Sequence, residues 1–161
     1  MKNRYVVSFI FSPDFERVWL IEKQRPAWQK GYLNGIGGKI EEGESAFHAA
    51  HRELHEEAGI QGGTIVLKET GRMAGTNNDG SDFEVIVFAG VTDLELIAQE
   101  DEQIASVTVG LIRDKKYIEN VPALMELCMY HLRGNSKFTR FDLDYSDQPK
   151  RANAAANQSI H

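Results

Sequence analysis

Cysteine, proline and long apolar runs are scarce in this chain of 161 residues. The single cysteine, Cys128, excludes an internal disulfide and fits a reducing compartment. No apolar run is long enough to cross a bilayer, and the run near Met1 is too short for a signal peptide. Asp and Glu outnumber Lys and Arg by 24 to 18, and this excess of acid excludes an extended nucleic-acid-binding surface. We therefore expect a cytoplasmic protein that binds neither membranes nor long nucleic acids.

The overall composition is typical of one globular domain. Hydrophobic residues make up 42% of the chain and aromatic residues 9%, which is enough to bury a core. Neither an internal repeat nor an interdomain linker is evident. Residues 146–161 are polar and alanine-rich without an apolar period, so the sequence predicts a domain over 1–145 followed by a mobile C-terminal tail.

Short apolar runs alternate with turn residues along the chain, which predicts strands and two helices. Strands are expected over 4–11, 17–22, 64–74, 83–90, 104–109 and 138–143, and helices between Ser45 and Gly59 and over 120–132. The first two strands should form a hairpin, and so should the third and fourth. Residues 23–38 contain four glycines and a proline and are expected to be mostly loop.

The first predicted helix carries an unusual concentration of carboxylates. Glu53, Glu56 and Glu57 are three and four positions apart, so they lie on one helical face. Like charges at this spacing repel one another and destabilise an isolated helix. The arrangement is favourable if a hard cation lies among the oxygens, because such ions prefer carboxylate ligands.

Local signals define the ends and the buried face of this helix. Ser45 is a good N-cap and Gly59 a good C-terminal stop. At about 100° per residue one stripe is apolar and should pack on a sheet, with Glu57 the carboxylate nearest to it. The stripe consists of Ala46, Phe47, Ala50, Leu54 and Ala58.

Three histidines lie on the same helix at spacings that suit zinc. His48, His51 and His55 centre roughly 160° away from the three glutamates, so the two groups cannot share one ion. A histidine metal site and a solvated outer face are both compatible with this pattern, and the solvated face is the favoured interpretation.

The loop before the helix is locally basic although the chain is acidic. Lys23, Arg25, Lys30 and Lys39 flank the carboxylate cluster. They serve either solubility or the binding of a phosphate-bearing ligand. Glycines, cations and clustered carboxylates together favour metal-assisted chemistry on a phosphate, with Mg²⁺ positioning a water molecule and neutralising developing charge.

Nine positions over 38–60 resemble a complete Nudix box. They are Gly38, Glu44, Arg52, Glu53, Leu54, Glu56, Glu57, Gly59 and Ile60. The order of predicted elements over about 4–143 is also similar to the Nudix fold. The resemblance implies an α/β/α sandwich around a mixed β-sheet. It also implies an enzyme that hydrolyses a nucleoside diphosphate linked to another group, with Mg²⁺ or, as a substitute, Mn²⁺.

The resemblance also implies which residues bind the metal. Glu56 and Glu57 would be the principal ligands, together with the carbonyl of Gly37. Glu53 would be a further ligand or the base that activates water. A carboxylate from outside the box often completes such sites. Glu102 is the candidate here, with Glu100 as the alternative.

The resemblance also implies which residues support the metal ligands and which bind the substrate. Arg52 would orient Glu53 through a salt bridge, and Glu44 would either stabilise the loop and helix or hold an outer metal ion. Lys39 would face the substrate phosphates, and Lys23 and Arg25 are further candidates for that contact. The acidic loop at 100–102 is also compatible with simple solvation.

Residues 33–39 resemble the entry to the box in MutT-like, oxidised-purine nucleoside triphosphatases. Asn34 would then read the edge of the base, or else it shapes a turn. The marks of ADP-ribose pyrophosphatases, dinucleoside polyphosphate hydrolases and coenzyme A hydrolases are absent. Residues 118–123 lack the Trp-Pro-Asp-Asp segment of mammalian-type enzymes, so Trp28 and Phe83 are left as candidates for either base stacking or packing.

Three hypotheses about function follow. The first is hydrolysis of a nucleoside triphosphate, including an oxidised purine nucleotide, to the monophosphate and pyrophosphate. The alternative is the same chemistry on an ADP-sugar, a dinucleotide or an RNA 5′ end. The third is a non-catalytic nucleotide-binding module, which the intact box disfavours. The sequence leaves open whether the protein is a monomer or a homodimer.

Overall fold

A computed structural model describes residues 2–134 and 140–145. The predicted tail over 146–161 and the first part of the last predicted strand lie outside the described residues. The described strands are β1 Asn3–Phe11, β2 Arg17–Glu22, β3 Leu33–Asn34, β4 Ile36–Lys39, β5 Lys68–Thr76, β6 Asp82–Val91, β7 Gln103–Thr108 and β8 Phe141–Asp144. The helices are α1 Ala46–Ala58 and α2 Val121–Leu132, and short 3₁₀ turns occupy Ala27–Gln29 and Val109–Asp114.

The strands form one mixed sheet. Strand β1 pairs in parallel with β6 and antiparallel with β2 and β4. Strand β5 lies between β6, to which it is antiparallel, and β8, to which it is parallel. Strand β7 runs antiparallel along the outer edge of β2. Both predicted hairpins, β1–β2 and β5–β6, are confirmed.

The sheet divides between β1 and β2. These strands pair only where Ile10 and Phe11 meet Trp19 and Val18. Beyond that point β4 pairs with β1, and β3 pairs with β2. Only Gly35 separates β3 from β4, so the division of the sheet lies at the entry to the box.

The expectation that 23–38 is mostly loop is therefore wrong for its second half. The glycines there permit close approach between strands instead of forming turns. A Cβ atom on Gly37 would collide with the backbone carbonyl of Val6, and one on Gly35 would lie 2.6 Å from a methyl group of Val7. Glycine allows β4 to lie directly against β1.

One helix packs on each face of the sheet, which confirms the α/β/α sandwich. Helix α1 buries Ala49, Ala50, Leu54 and Ala58 in one core cluster. Helix α2 buries Val121, Leu124, Met125 and Cys128 in the other. Cys128 is fully buried and fills space in the core, as predicted.

The predicted ends of α1 are confirmed. The side chain of Ser45 accepts a hydrogen bond from the backbone N–H of His48 at 3.1 Å, and Gly59 ends the helix with φ of 69°. Phe47 was wrongly assigned to the buried stripe. It is 50% exposed, because its ring packs at the edge of the helix against His51 and Phe88, while Ala49 takes the buried position.

The relative depth of the carboxylates also differs from expectation. Glu53 is only 9% exposed and is the most deeply buried of the three, whereas Glu57 is partly buried and Glu56 is exposed. The reason is that Glu53 faces Gly38, where the missing side chain leaves room for a carboxylate. On the opposite side of α1, His48 and His55 are exposed and His51 is partly buried.

Candidate active site

Arg52 connects the start of the box to the carboxylate helix. Its Nε and one terminal nitrogen donate to the two carboxylate oxygens of Glu44 at 2.7 and 3.0 Å. That nitrogen also donates to the carbonyl of Lys39 at 2.9 Å. The other terminal nitrogen donates to Glu53 at 2.8 Å and to Glu56 at 3.2 Å. The salt bridge predicted between Arg52 and Glu53 is present, and Glu44 lies where it stabilises the loop and helix.

Gly38 provides the space that Glu53 occupies. A Cβ atom at Gly38 would collide with the carboxylate of Glu53. Burial raises the pKa of Glu53, while the guanidinium of Arg52 opposes that rise. The glycine and the glutamate of the box therefore depend on each other through direct contact across β4 and α1.

Glu57 lies in a strongly acidic environment. Burial, followed by the charges of Glu53 and Glu102, raises the pKa of Glu57 to about 8, against the opposing effect of Lys23. One of its carboxylate oxygens is buried without a hydrogen-bond partner among the described residues. A buried oxygen without a partner is costly unless a ligand satisfies it.

The acidic loop after β6 is held against the C-terminal end of α1. The backbone N–H of Gln99 donates to the carbonyl of Glu57 at 2.9 Å. A cavity of about 260 Å³ opens beside this contact. It is lined by Arg25, Glu57, Glu100, Asp101 and Glu102. The structure thus brings both predicted carboxylates of the loop to the box.

Glu102 is fixed by the pairing of β2 with β7. Glu22 pairs with Gln103, so the residues just beyond them, Lys23 and Glu102, are adjacent. The Nζ of Lys23 lies 3.3 Å from one carboxylate oxygen of Glu102. The other oxygen is buried and has no hydrogen-bond partner within the described part of the chain.

The oxygen ligands of these residues suit a divalent cation, although the side chains are not grouped around one position. Within 2–134 and 140–145, no three His, Cys, Asp or Glu side chains are grouped closely enough to hold an ion. Glu57 and Glu102 nevertheless line one small acidic cavity, and each has one buried oxygen without a hydrogen-bond partner among the described residues. Carboxylate oxygens of this kind are the ligands that Mg²⁺ and Mn²⁺ prefer.

A second cavity, of about 400 Å³, lies where the sheet divides. Its wall combines aromatic, aliphatic, amide and glycine residues with one cation. The lining includes Tyr5, Val7, Ile21, Lys23, Pro26, Gln29, Asn34, Gly37, Gly38, Asn77, Phe83 and Val85. We call this space the fork cavity. Its size and mixed lining are typical of a small-molecule site.

The predicted substrate residues fall into three groups. Lys23 and Asn34 line the fork cavity, and Arg25 lines the acidic one. Lys39 lines neither of these two, and its carbonyl is bound by Arg52. Asn34 also shapes a turn, because its side-chain oxygen accepts from the N–H of Gly35 at 2.8 Å.

Among the aromatic candidates, Phe83 lines the fork cavity, whereas Trp28 does not and is 43% exposed. Sequence reasoning missed Tyr5, Gln29 and Asn77, which also line it. These three come from a strand, a 3₁₀ turn and a distant hairpin. No local pattern marks them, since only the folded sheet brings them together.

The mixed sheet, the carboxylate helix and the acidic cavity suit metal-assisted hydrolysis of a phosphorus-containing anhydride. Residues 1–122 match the model of the NUDIX domain, so the chain belongs to this family. It is a Nudix hydrolase, a family that generally uses divalent metal ions.

Three solved structures illustrate the relationship. The NUDIX domain of Shewanella oneidensis NrtR, solved with ADP ribose, is 15% identical with a TM-score of 0.69, over 82% of this chain and 89% of that one. The Escherichia coli dihydroneopterin triphosphate pyrophosphohydrolase is 15% identical with a TM-score of 0.63, over 78% and 94%. The MutT protein of Methanosarcina mazei is 23% identical with a TM-score of 0.60, over 84% and 96%. At these identities the likeness shows the shared fold.

Neither described helix is long and apolar enough to span a membrane.

Proposed function

We propose that this Nudix hydrolase cleaves a nucleoside triphosphate, including an oxidised purine nucleotide, to the monophosphate and pyrophosphate. One observation carries the proposal. Lys23 lines the fork cavity, which suits a nucleoside, and its ion pair with Glu102 links it to the lining of the acidic cavity. A nucleotide whose base lies in the first cavity would extend its phosphates toward the carboxylates of the second.

The fork cavity supplies contacts for a base. Tyr5 and Phe83 offer aromatic surfaces, and Asn34, Gln29 and Asn77 offer amides. An amide donates and accepts hydrogen bonds, which suits the mixed edge of a purine. No carboxylate is among the described residues that line this cavity, so the base would be read by amides and not by an acidic side chain.

The carboxylates of α1 and of the acidic loop would bind the metal, and the neighbouring cations would bind the phosphates. Glu56, Glu57, Glu102 and the carbonyl of Gly37 would hold Mg²⁺, with Mn²⁺ as a substitute, and Glu53 would be either a further ligand or the base. A bound divalent ion lowers the pKa of water and neutralises charge developing on phosphate oxygens. Lys23 and Arg25 would bind phosphate oxygens, and Lys39 stays a candidate for that role.

The chain's own groups would guide the proton and the leaving group. Glu53 would accept a proton from the attacking water, and Arg52 holds its carboxylate in place at 2.8 Å. The water oxygen would form a new bond to the α-phosphorus as the bond from that phosphorus to the α,β-bridging oxygen breaks, and pyrophosphate would leave with the bridging oxygen. Glu100 is the alternative to Glu102 as the carboxylate from outside the box.

The alternative function is the same hydrolysis on another nucleoside diphosphate derivative. The relative solved with ADP ribose makes ADP-sugars a specific competitor. The amide-lined fork cavity would accept the base of either kind of substrate. A non-catalytic nucleotide-binding module remains the third hypothesis and predicts binding without turnover.

A substrate panel tests the proposal. Purified protein with Mg²⁺ would be given dGTP, 8-oxo-dGTP, dihydroneopterin triphosphate, ADP-ribose, a diadenosine polyphosphate and a capped RNA. The products would be separated and identified by anion-exchange chromatography, with wild-type protein in EDTA as the blank. Pyrophosphate release from a purine triphosphate is the expected result. Turnover of ADP-ribose but of no triphosphate would contradict it, and binding without turnover of any member with either metal would favour the third hypothesis.

The location of the protein also stays a prediction. Its unpaired cysteine leads us to propose a cytoplasmic location. Localisation of a fluorescently tagged chain would test this.

A further inference from the structure

We propose that Lys23 is a substrate-binding residue that exchanges partners, neutralising Glu102 in the metal-free protein and binding substrate phosphate once a divalent ion has displaced it. This inference rests on the proposed function for the identity of the phosphate ligand. Its first half, the displacement of Lys23 by a metal ion, is independent of which nucleotide is cleaved.

The backbone of Lys23 is fixed, so that only its side chain is free to change partner. Its N–H donates to the carbonyl of Tyr32 at 2.8 Å, and its carbonyl accepts from the N–H of Gly31 at 2.8 Å. Lys23 directly follows β2, where the pairing of Glu22 with Gln103 places Glu102 alongside. A long flexible side chain on a fixed backbone can reach two neighbouring acceptors.

Two cations, Arg52 and Lys23, form ion pairs with four carboxylates of the site. Arg52 binds Glu44, Glu53 and Glu56, all through direct hydrogen bonds. Lys23 is the cation that pairs with Glu102 among the described ion pairs, with Nζ 3.3 Å from the carboxylate. Removing Lys23 would therefore leave the acidic cavity without its paired countercharge.

The ion pair leaves metal-binding capacity unused. Lys23 engages one oxygen of Glu102, and the N–H of Gln24 lies 3.5 Å from that same oxygen. The second oxygen of Glu102 and one oxygen of Glu57 are buried without partners among the described residues. A monovalent ammonium on one oxygen is a weaker countercharge here than a divalent ion shared by several oxygens.

Lys23 also lies on the proposed path of the substrate phosphates from the fork cavity to the acidic cavity. It is the one cation among the described residues lining the fork cavity, and Gly37 and Gly38 lie in the same wall. Once released from Glu102, its ammonium is already at the junction of the two cavities. Metal binding would thus free a phosphate ligand, and by linkage phosphate binding to Lys23 would favour the metal.

The first arm of the test measures Mn²⁺ binding without nucleotide. Free Mn²⁺ would be titrated by electron paramagnetic resonance against wild-type protein, Lys23→Met, Lys23→Arg and the matched control Lys30→Met. Lys30 is exposed in the same loop, so Lys30→Met reports the general effect of losing one positive charge. Lys23→Met should bind Mn²⁺ about fivefold tighter than Lys30→Met, because the competing ammonium is gone. Lys23→Arg, which keeps the charge, should stay close to wild type.

The second arm measures the affinity for the α,β-methylene analogue of dGTP by calorimetry, with Mg²⁺ and with EDTA. Lys23→Met should weaken binding about tenfold with Mg²⁺, the loss of one charge-assisted contact. With EDTA the loss should be about twofold or less, since Glu102 then holds the ammonium in the wild type.

Two results would overturn the inference. One is Mn²⁺ binding by Lys23→Met that is no tighter than by Lys30→Met. The other is an equal loss of analogue affinity with and without Mg²⁺. If wild-type protein fails to bind the analogue at all, the triphosphate assignment fails, and the Mn²⁺ titration still decides whether Lys23 competes with the metal.

Discussion

Arg52 and Glu44 face each other across two hydrogen bonds, of 2.7 and 3.0 Å, that join the loop before α1 to the helix itself. The same guanidinium reaches Glu53 and Glu56 on the helix and the carbonyl of Lys39 on β4. One side chain therefore ties the carboxylate helix both to the strand and to the loop before it. Planar, two-pronged pairing gives such a contact both strength and direction.

Loss of the Glu44 charge should weaken the fold at neutral pH. Hydrogen bonds from Arg52 and from the N–H of Glu41 lower the pKa of Glu44 below its ordinary value of 4.5. Glu44→Gln should lower the free energy of unfolding by about 2 kcal/mol at pH 7, because it removes two charge-assisted hydrogen bonds. Urea denaturation followed by circular dichroism measures this.

The pH dependence of the stability difference between wild type and Glu44→Gln serves as an internal control. A depressed carboxyl pKa stabilises the folded state above pH 4.5, and this contribution is lost as the pH falls through the folded-state value. The difference in unfolding free energy between wild type and Glu44→Gln should therefore shrink as the pH is lowered below about 4.5. A difference that stays constant from neutral to strongly acidic pH would show that the ion pair is not its source.

Substitution of Gly38 should disturb activity through Glu53. A methyl group at Gly38 would meet the end of the Glu53 side chain, which can move, so Gly38→Ala should fold and lose about 1–3 kcal/mol of stability. The displaced carboxylate should lower kcat by more than the stability loss explains. Gly62→Ala is the matched control, because a methyl group there would have no neighbouring atom within 4 Å. Equal activities of the two variants would contradict the prediction.

Glu53→Gln should abolish most of the catalysis and spare the fold. Burial already raises the pKa of Glu53, so an uncharged amide of the same shape is tolerated there. Removal of a general base typically costs about 10²–10⁴-fold in rate, and we expect a fall in kcat of that size. Steady-state kinetics gives the rate and thermal melting the stability. Full activity in this variant would assign the base to another group, with Glu102 and Glu100 the next to test.

Glu57→Gln should make the metal-free protein more stable at alkaline pH. The folded-state pKa of Glu57 is raised to about 8 from 4.5, first by burial and then by Glu53 and Glu102. A raised carboxyl pKa means that the free energy of unfolding falls as the pH rises from 4.5 to 8. The amide variant lacks this loss. Its stability advantage in EDTA should therefore grow over that range and level off above it.

Bound Mg²⁺ should reverse the order of stability of the wild type and Glu57→Gln. Mg²⁺ should stabilise the wild type more than Glu57→Gln, because an ion bound only to the folded state adds to its stability. Glu56→Gln is the comparison variant, since the Glu56 side chain is 44% exposed and its loss should change the EDTA melting temperature little. Thermal melts at about pH 6 and about pH 8, with EDTA and with Mg²⁺, make the comparison. An EDTA stability advantage that is equal at both pH values would argue against a buried charge at Glu57.

The carboxylate helix was predictable because its determinants are local. Ser45 and Gly59 end α1 where predicted, and Arg52 pairs with Glu53 as the resemblance implied. Caps and helical periodicity act over a few residues, so a single sequence contains them. The same locality explains the error at Phe47, whose exposure depends on what the sheet offers beneath it.

The part of the site formed by Lys23, Gln24 and Glu102 depends on long-range pairing of strands. Gln24 and Glu102, 78 positions apart, meet only because β2 and β7 pair in one register. The acidic loop was recognised from its charge, but Lys23 was assigned to solubility or phosphate binding and not to Glu102. A register shift of one residue would have placed Glu102 on the other face of the sheet.

The sequence alone determined the fold class, the carboxylate helix and its caps, and the reaction that the box implies. These follow from spacings within one helix and the loop before it, which stay the same wherever the helix packs. Tertiary structure alone decided the substrate cavity, in which Tyr5, Gln29 and Asn77 meet Asn34, and the pairing of Lys23 with Glu102. Those residues belong to separate strands and turns, and only the division of the sheet between β1 and β2 brings them to one place.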